Sequence, residues 1–79
     1  MPPDPRLVAL YVEIAQAHSA AVAGSERAAR AANALAAGLD GDNADAAKRR
    51  LRDGNRAARE GIHRAGQAYE RLVMMLRGA

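Results

Sequence analysis

The chain has 79 residues, a formal net charge of +3 and no cysteine, tryptophan or phenylalanine. That length allows one small domain, and the missing cysteines exclude a disulfide framework and a thiolate metal site. The opening Met-Pro-Pro-Asp-Pro lacks the basic start and apolar stretch of a signal peptide, and no run reaches the ~20 apolar residues that span a bilayer, so a cytoplasmic protein without membrane contact is expected.

The first predicted helix covers 5–37. Asp4 is a natural N-cap, because its carboxylate accepts backbone N–H groups, and Pro5 suits the first helical position. From Leu7 onward, apolar and small residues recur at alternating spacings of four and three: Leu7, Tyr11, Ile14, His18, Ala21, Ser25, Ala28, Ala32, Leu35, Leu39. This is a heptad pattern. The apolar and small arc takes up close to half the helix circumference, wider than one partner helix covers, and the excess reads as an oligomer surface.

A turn is predicted over 38–42. Gly38 suits a left-handed C-terminal cap with Leu39 folding back onto the helix. Asp42 is expected to cap the second helix, with Asp45 three residues on in a variant of the capping box. The second helix is predicted over 43–77. Its apolar string runs Ala44, Ala47, Leu51, Gly54 or Asn55, Ala58, Ile62, Ala65, Tyr69, Leu72, Leu76. Gly54, Gly61 and Gly66 interrupt it, each costing about 1 kcal/mol of helix propensity relative to alanine.

A second periodicity explains two of those glycines. Leu10, Ala17, Gly24, Ala31 and Gly38 fall seven apart, as do Ala47, Gly54, Gly61, Ala68 and Met75. Two antiparallel helices with small residues along a shared seam can approach closely. Reversing the second series pairs position n with 85 − n, setting Gly24 against Gly61. Gly66 falls outside this series and has no evident packing reason. The fold class is therefore an all-α, antiparallel two-helix hairpin in a single domain, expected to self-associate into a four-helix bundle. Twelve of the seventeen large apolar residues beyond Met1 lie at its open end, Leu7–Ile14 and Tyr69–Leu76.

Little in the sequence suggests catalysis. Ser19 and Ser25 are the only serines, and no serine–histidine–acid set, thiol nucleophile or phosphate-cradling glycine loop is present. Asp40-Gly-Asp-Asn-Ala-Asp45 departs from a calcium loop in its glycine position and lacks the closing glutamate. No enzyme and no cofactor is expected. Lys48, Arg49, Arg52, Arg56 and Arg59 form a basic stripe, continued by His63, that could follow a phosphate backbone. However, eleven of the twelve basic residues are arginine amid 21 alanines and seven glycines. That composition fits a GC-rich bacterial genome as well as it fits selection for nucleic acid.

Glu60-Gly-Ile-His63 matches Glu-x-x-His and resembles the small ferritin-like hairpins that build an iron site at a dimer interface. The resemblance implies Glu60 and His63 as metal ligands, with Glu13 or Glu26 supplying further carboxylates, although the helical wheel sets both opposite the apolar stripe. Two long helices with Leu39-Asp40-Gly41 between them also resemble the helical-hairpin substrates of type VII secretion. Those carry Trp-x-Gly in the turn and a tyrosine-plus-acid export signal. Here Leu39 stands for the tryptophan, and Val73, four residues after Tyr69, stands for the acid.

The reading these features favour is a small non-enzymatic interaction module, a dimeric adaptor or regulatory subunit acting by helix packing. Its expected partners are a second copy and another protein. The expected contact residues are Leu7, Tyr11, Ile14, Ile62, Tyr69, Leu72 and Met75.

Overall fold

A computed structural model describes residues 2–78 as two helices, α1 (Pro5–Ala36) and α2 (Gly41–Gly78), joined by four residues. They lie antiparallel in a rod of 58 × 20 × 15 Å.

The ends of α1 form as the sequence dictates. The Asp4 carboxylate accepts the Arg6 amide at 2.9 Å, and Pro5 occupies the first turn. The Arg6 guanidinium closes on the same carboxylate at 3.0 Å. That hydrogen bond, followed by the one from the Arg6 amide, holds the Asp4 carboxyl below the usual aspartate range. At the other end of α1 the Gly38 amide donates to Leu35 and the Leu39 amide to Ala34. This is the paired pattern of a Schellman cap, and Gly38 has the positive φ of 100° it requires.

The second helix starts two residues earlier than 43. The Asp40 carbonyl accepts the Ala44 amide at 3.2 Å, so Asp40 takes the N-cap position. Gly41 follows at φ 58°. Asp42 lies within the first turn rather than capping it, so the expected pairing with Asp45 is not the cap. Its charge still sits near the positive end of the helix dipole.

The seam consists of the small residues expected. Leu10, Ala17, Gly24, Ala31, Ala47, Gly54, Gly61 and Ala68 are all buried. At the glycines, backbone meets backbone. A methyl group on Gly24 would lie 2.7 Å from the Gly54 carbonyl oxygen and 2.7 Å from the Ala58 nitrogen. One on Gly61 would lie 2.7 Å from the Ala17 oxygen and 2.8 Å from the Ala21 nitrogen.

These contacts correct the register. Each glycine n sits between positions 78 − n and 82 − n of the other helix, not opposite 85 − n. Gly24 therefore meets Gly54 and Ala58 instead of Gly61. The reason is the turn. A hairpin reverses about its connection, near position 40, whereas the 85 register would place the reversal inside α2. The open end follows the same register: Leu10, Ala68 and Leu72 form the core cluster, with Leu7, Ile14 and Met75 packed against it. Glu13 and Arg71 form an exposed ion pair at 2.8 Å across the helices, a contact worth at most about 1 kcal/mol.

The α1 string of alternating spacings splits in two. Ala21 and Ala28 are buried, while Tyr11, His18, Ser25 and Ala32 are exposed beside them. By length and composition α1 is apolar enough to cross a membrane, which neither supports nor excludes the expected cytoplasmic location. Alanine produces this apolar character, since it fills the gaps between larger apolar residues and leaves Glu13 the only formal charge from Leu7 to Gly24.

Candidate interaction faces

With the seam fixed, the 3.6-residue period distributes every other side chain. Two faces result, one on each side of the plane holding both helix axes. On the first, α1 presents two heptad strings. One is Tyr11, His18, Ser25 and Ala32, and the other is Val8, Ala15, Val22, Ala29 and Ala36. From Val8 to Ala36 neither string carries an aspartate, glutamate, lysine or arginine. On α2 the same face carries Ile62, Gly66, Tyr69, Val73 and Leu76 toward the open end, then Asn55, Arg59, Arg52 and Lys48 toward the turn. A shallow groove lined by His18, Val22, Ser25 and Ile62 places the two helices' contributions on one side.

This face is apolar and open to solvent. Tyr11 is 52% exposed, Val22 56%, Ile62 57%, Tyr69 59% and Leu76 56%. For an 8.3 kDa chain, so many large apolar side chains on one side exceed the scattered exposure normal for a soluble surface.

The opposite face carries most of the remaining charge. It is not free of apolar surface: near the open end a groove between Arg6, Glu13 and Arg71 is lined by Ala9, Leu10, Met74 and Met75, and Met74 is 72% exposed. Near the turn, Arg27 and Arg30 of α1 meet Arg50 of α2 over a floor of Ala31, Ala34 and Ala47.

The seven expected contact residues do not form one surface. Leu72 is buried in the seam, and Leu7, Ile14 and Met75 back onto the core cluster. Tyr11, Ile62 and Tyr69 remain on the apolar face. Val8, Val22 and Leu76 join them there without having been singled out. The signal for the first two was present as Val8, Ala15, Val22, Ala29 and Ala36, spaced by seven, on the far side of the Tyr11 string from the seam.

The basic stripe is exposed along the turn half of α2, and a groove there gathers Lys48, Arg52, Arg56 and Arg59 with Glu60; Arg49 is exposed beside it. Arg27, Arg30 and Arg50 extend this basic region onto the polar face. Among the described residues the ion pairs are Asp4–Arg6 and Glu13–Arg71, neither in this region. Glu60 and His63 are exposed on the outer side of α2, and no group of three or more metal-ligating side chains gathers among the described residues.

Comparison of the chain with family models, curated proteins and solved structures finds no significant match. The ferritin-like and type VII resemblances therefore rest on the residues quoted for them.

Proposed function

We propose that this chain is a non-enzymatic protein–protein interaction module, an adaptor or regulatory subunit that binds by packing its apolar face against helices. The observation that carries the reading is the cluster of half-exposed Tyr11, Val22, Ile62 and Tyr69 on one side of a rod whose own seam is already filled. Side chains of this kind supply the buried centre of helix-packing interfaces. A backbone joined by close glycine contacts provides a stiff frame on which to present them.

The test is capture from source-cell extract with tagged wild-type protein and two double variants. Tyr11→Glu/Tyr69→Glu should lose the bound proteins, whereas Arg27→Glu/Arg64→Glu on the polar face should keep them. Equal loss in both variants would count against the apolar face.

A second reading draws on a separate observation. Arg27, Arg30 and Arg50 extend the basic stripe of α2 onto α1, giving a collar around the turn end. Such a collar fits a phosphate backbone, and its affinity would fall steeply with salt. Retention on a heparin column at low salt, lost in an Arg27→Glu/Arg50→Glu variant, would support it.

A further inference from the structure

We infer that the occupant of the apolar face is a second copy of this chain, seated face to face with the two-fold axis along the length of the hairpin. The inference rests on the interaction reading above and names the partner.

A two-fold in that direction keeps every residue at its own level and lays α1 of one protomer over α2 of its partner. Levels are fixed by the observed packing, in which n stands beside 78 − n to 82 − n. Carried across to the second protomer, the apolar face matches itself position by position. Tyr11 meets the partner's Tyr69, and His18 meets the partner's Ile62. Ser25 meets the partner's Asn55, so the polar pair at mid-length falls together. Toward the turn, Arg52 and Lys48 of α2 lie over Ala29 and Ala32 of the partner's α1 and Arg59 lies over its Val22, where their stems can pack while the charged ends reach water.

Gly66 acquires a reason in this arrangement. It is an interior helix glycine with nothing within 4 Å of where a methyl group would sit, so the hairpin alone does not explain it. At its level stands Ala15 of the other protomer. A glycine facing an alanine permits the same close backbone approach that Gly54 and Gly61 provide inside the hairpin.

Other arrangements fit worse. A two-fold across the rod would place Tyr69 and Leu76 over the partner's basic turn end. A bilayer surface would accept the tyrosines and valines, but membrane-lying helices favour bulky tryptophan, phenylalanine and leucine. This face has neither tryptophan nor phenylalanine and a single leucine, and a serine and an asparagine lie at its centre. Its extent is sufficient for a dimer: a face on a rod of 58 × 20 Å exceeds the roughly 800 Å² per partner that a stable interface buries.

The chain has no cysteine, which makes crosslinking a direct test. The Ala15→Cys/Gly66→Cys variant is expected to oxidise to a covalent dimer of about 17 kDa, twice the 8.3 kDa chain. The Gln16→Cys/Arg64→Cys variant, at matched levels on the polar face, should remain a monomer on the same non-reducing gel. Reduced Ala15→Cys/Gly66→Cys protein should keep wild-type helicity. Should it not, Tyr69→Glu provides a second route, with dimer affinity by sedimentation equilibrium expected to fall at least tenfold at unchanged helicity. Wild-type protein that stays monomeric to about 100 µM would overturn the proposal, as would crosslinking through the polar-face pair alone. So would monomeric protein that cosediments with phosphatidylserine vesicles through Tyr11 and Tyr69, which would assign the face to membrane. A monomer that still loses its captured partners in the Tyr11→Glu/Tyr69→Glu variant would remove the second copy and leave the interaction reading in place.

Discussion

Gly24 and Gly54 face each other across the seam, each with its carbonyl oxygen 2.7 Å from the point where a methyl group on the other would sit. Neither helix can move aside without opening the contacts on both sides of that point. Alanine at either position gains about 1 kcal/mol of helix propensity but forces backbone apart. Overpacking of this kind typically costs about 1–3 kcal/mol and occasionally more. With backbone as the obstacle, Gly24→Ala and Gly54→Ala are each expected to lower Tm by several degrees. An unchanged or raised Tm in both would show that the seam is looser than described.

Gly66 gives the opposite result in the isolated hairpin. With nothing within 4 Å of the added methyl, Gly66→Ala should stabilise the monomer by about 0.5–1 kcal/mol through helix propensity alone. Chemical denaturation at low micromolar or lower concentration, where association is negligible, isolates this effect. If the face pairs with a second copy, the gain should shrink as concentration rises, because the methyl would then meet the partner.

The open end separates core from surface within four residues. Leu72 is 7% exposed and packs on Leu10 and Ala68, while Tyr69 is 59% exposed. Leu72→Ala should therefore cost the dilute hairpin about 2–4 kcal/mol. Tyr69→Ala should cost it well under 1 kcal/mol. Comparable losses measured by urea unfolding would contradict the division of faces.

That division was only partly legible in the sequence. The ends of α1 were readable because their chemistry is local: Asp4-Pro5 opens it, and Gly38 closes it with a positive φ no other residue adopts as easily. The start of α2 was not, since Asp40 and Asp42 are both capable caps. The seam was also readable, since only small residues permit such an approach. The register was not. A repeat of seven looks the same when slid by seven, so 85 − n and 78 − n align the same small residues equally well. Only the length of the turn distinguishes them. The contact list suffered from a related ambiguity. One residue along a helix is a rotation of about 100°, so Tyr69 and Leu72, neighbours in an apolar run, end up in different environments. Position relative to the seam decides exposure, and that required the register.

The amino-terminal cap adds a pH dependence with a definite sign. The Arg6 side chain and amide hold the Asp4 carboxyl below its usual value in the folded state. The stabilisation is therefore present above the usual aspartate value, near pH 4. It is lost as pH falls through the lower folded value. Amide exchange at Arg6–Val8 should accelerate on acidification relative to the middle of α1. Asp4→Asn should remove the pH dependence while keeping most of the cap, because asparagine also accepts the amide.

The register underlies both faces and the arrangement of the second copy, and nuclear Overhauser contacts of the Gly61 α-protons test it without altering the chain. Strong cross-peaks to Ala17 and Ala21 are expected, because a methyl on Gly61 would lie 2.9 Å from the Ala21 Cα. A cross-peak to the Gly24 α-protons, with none to Ala17 or Ala21, would place the helices in the other register and remove the apolar face as drawn.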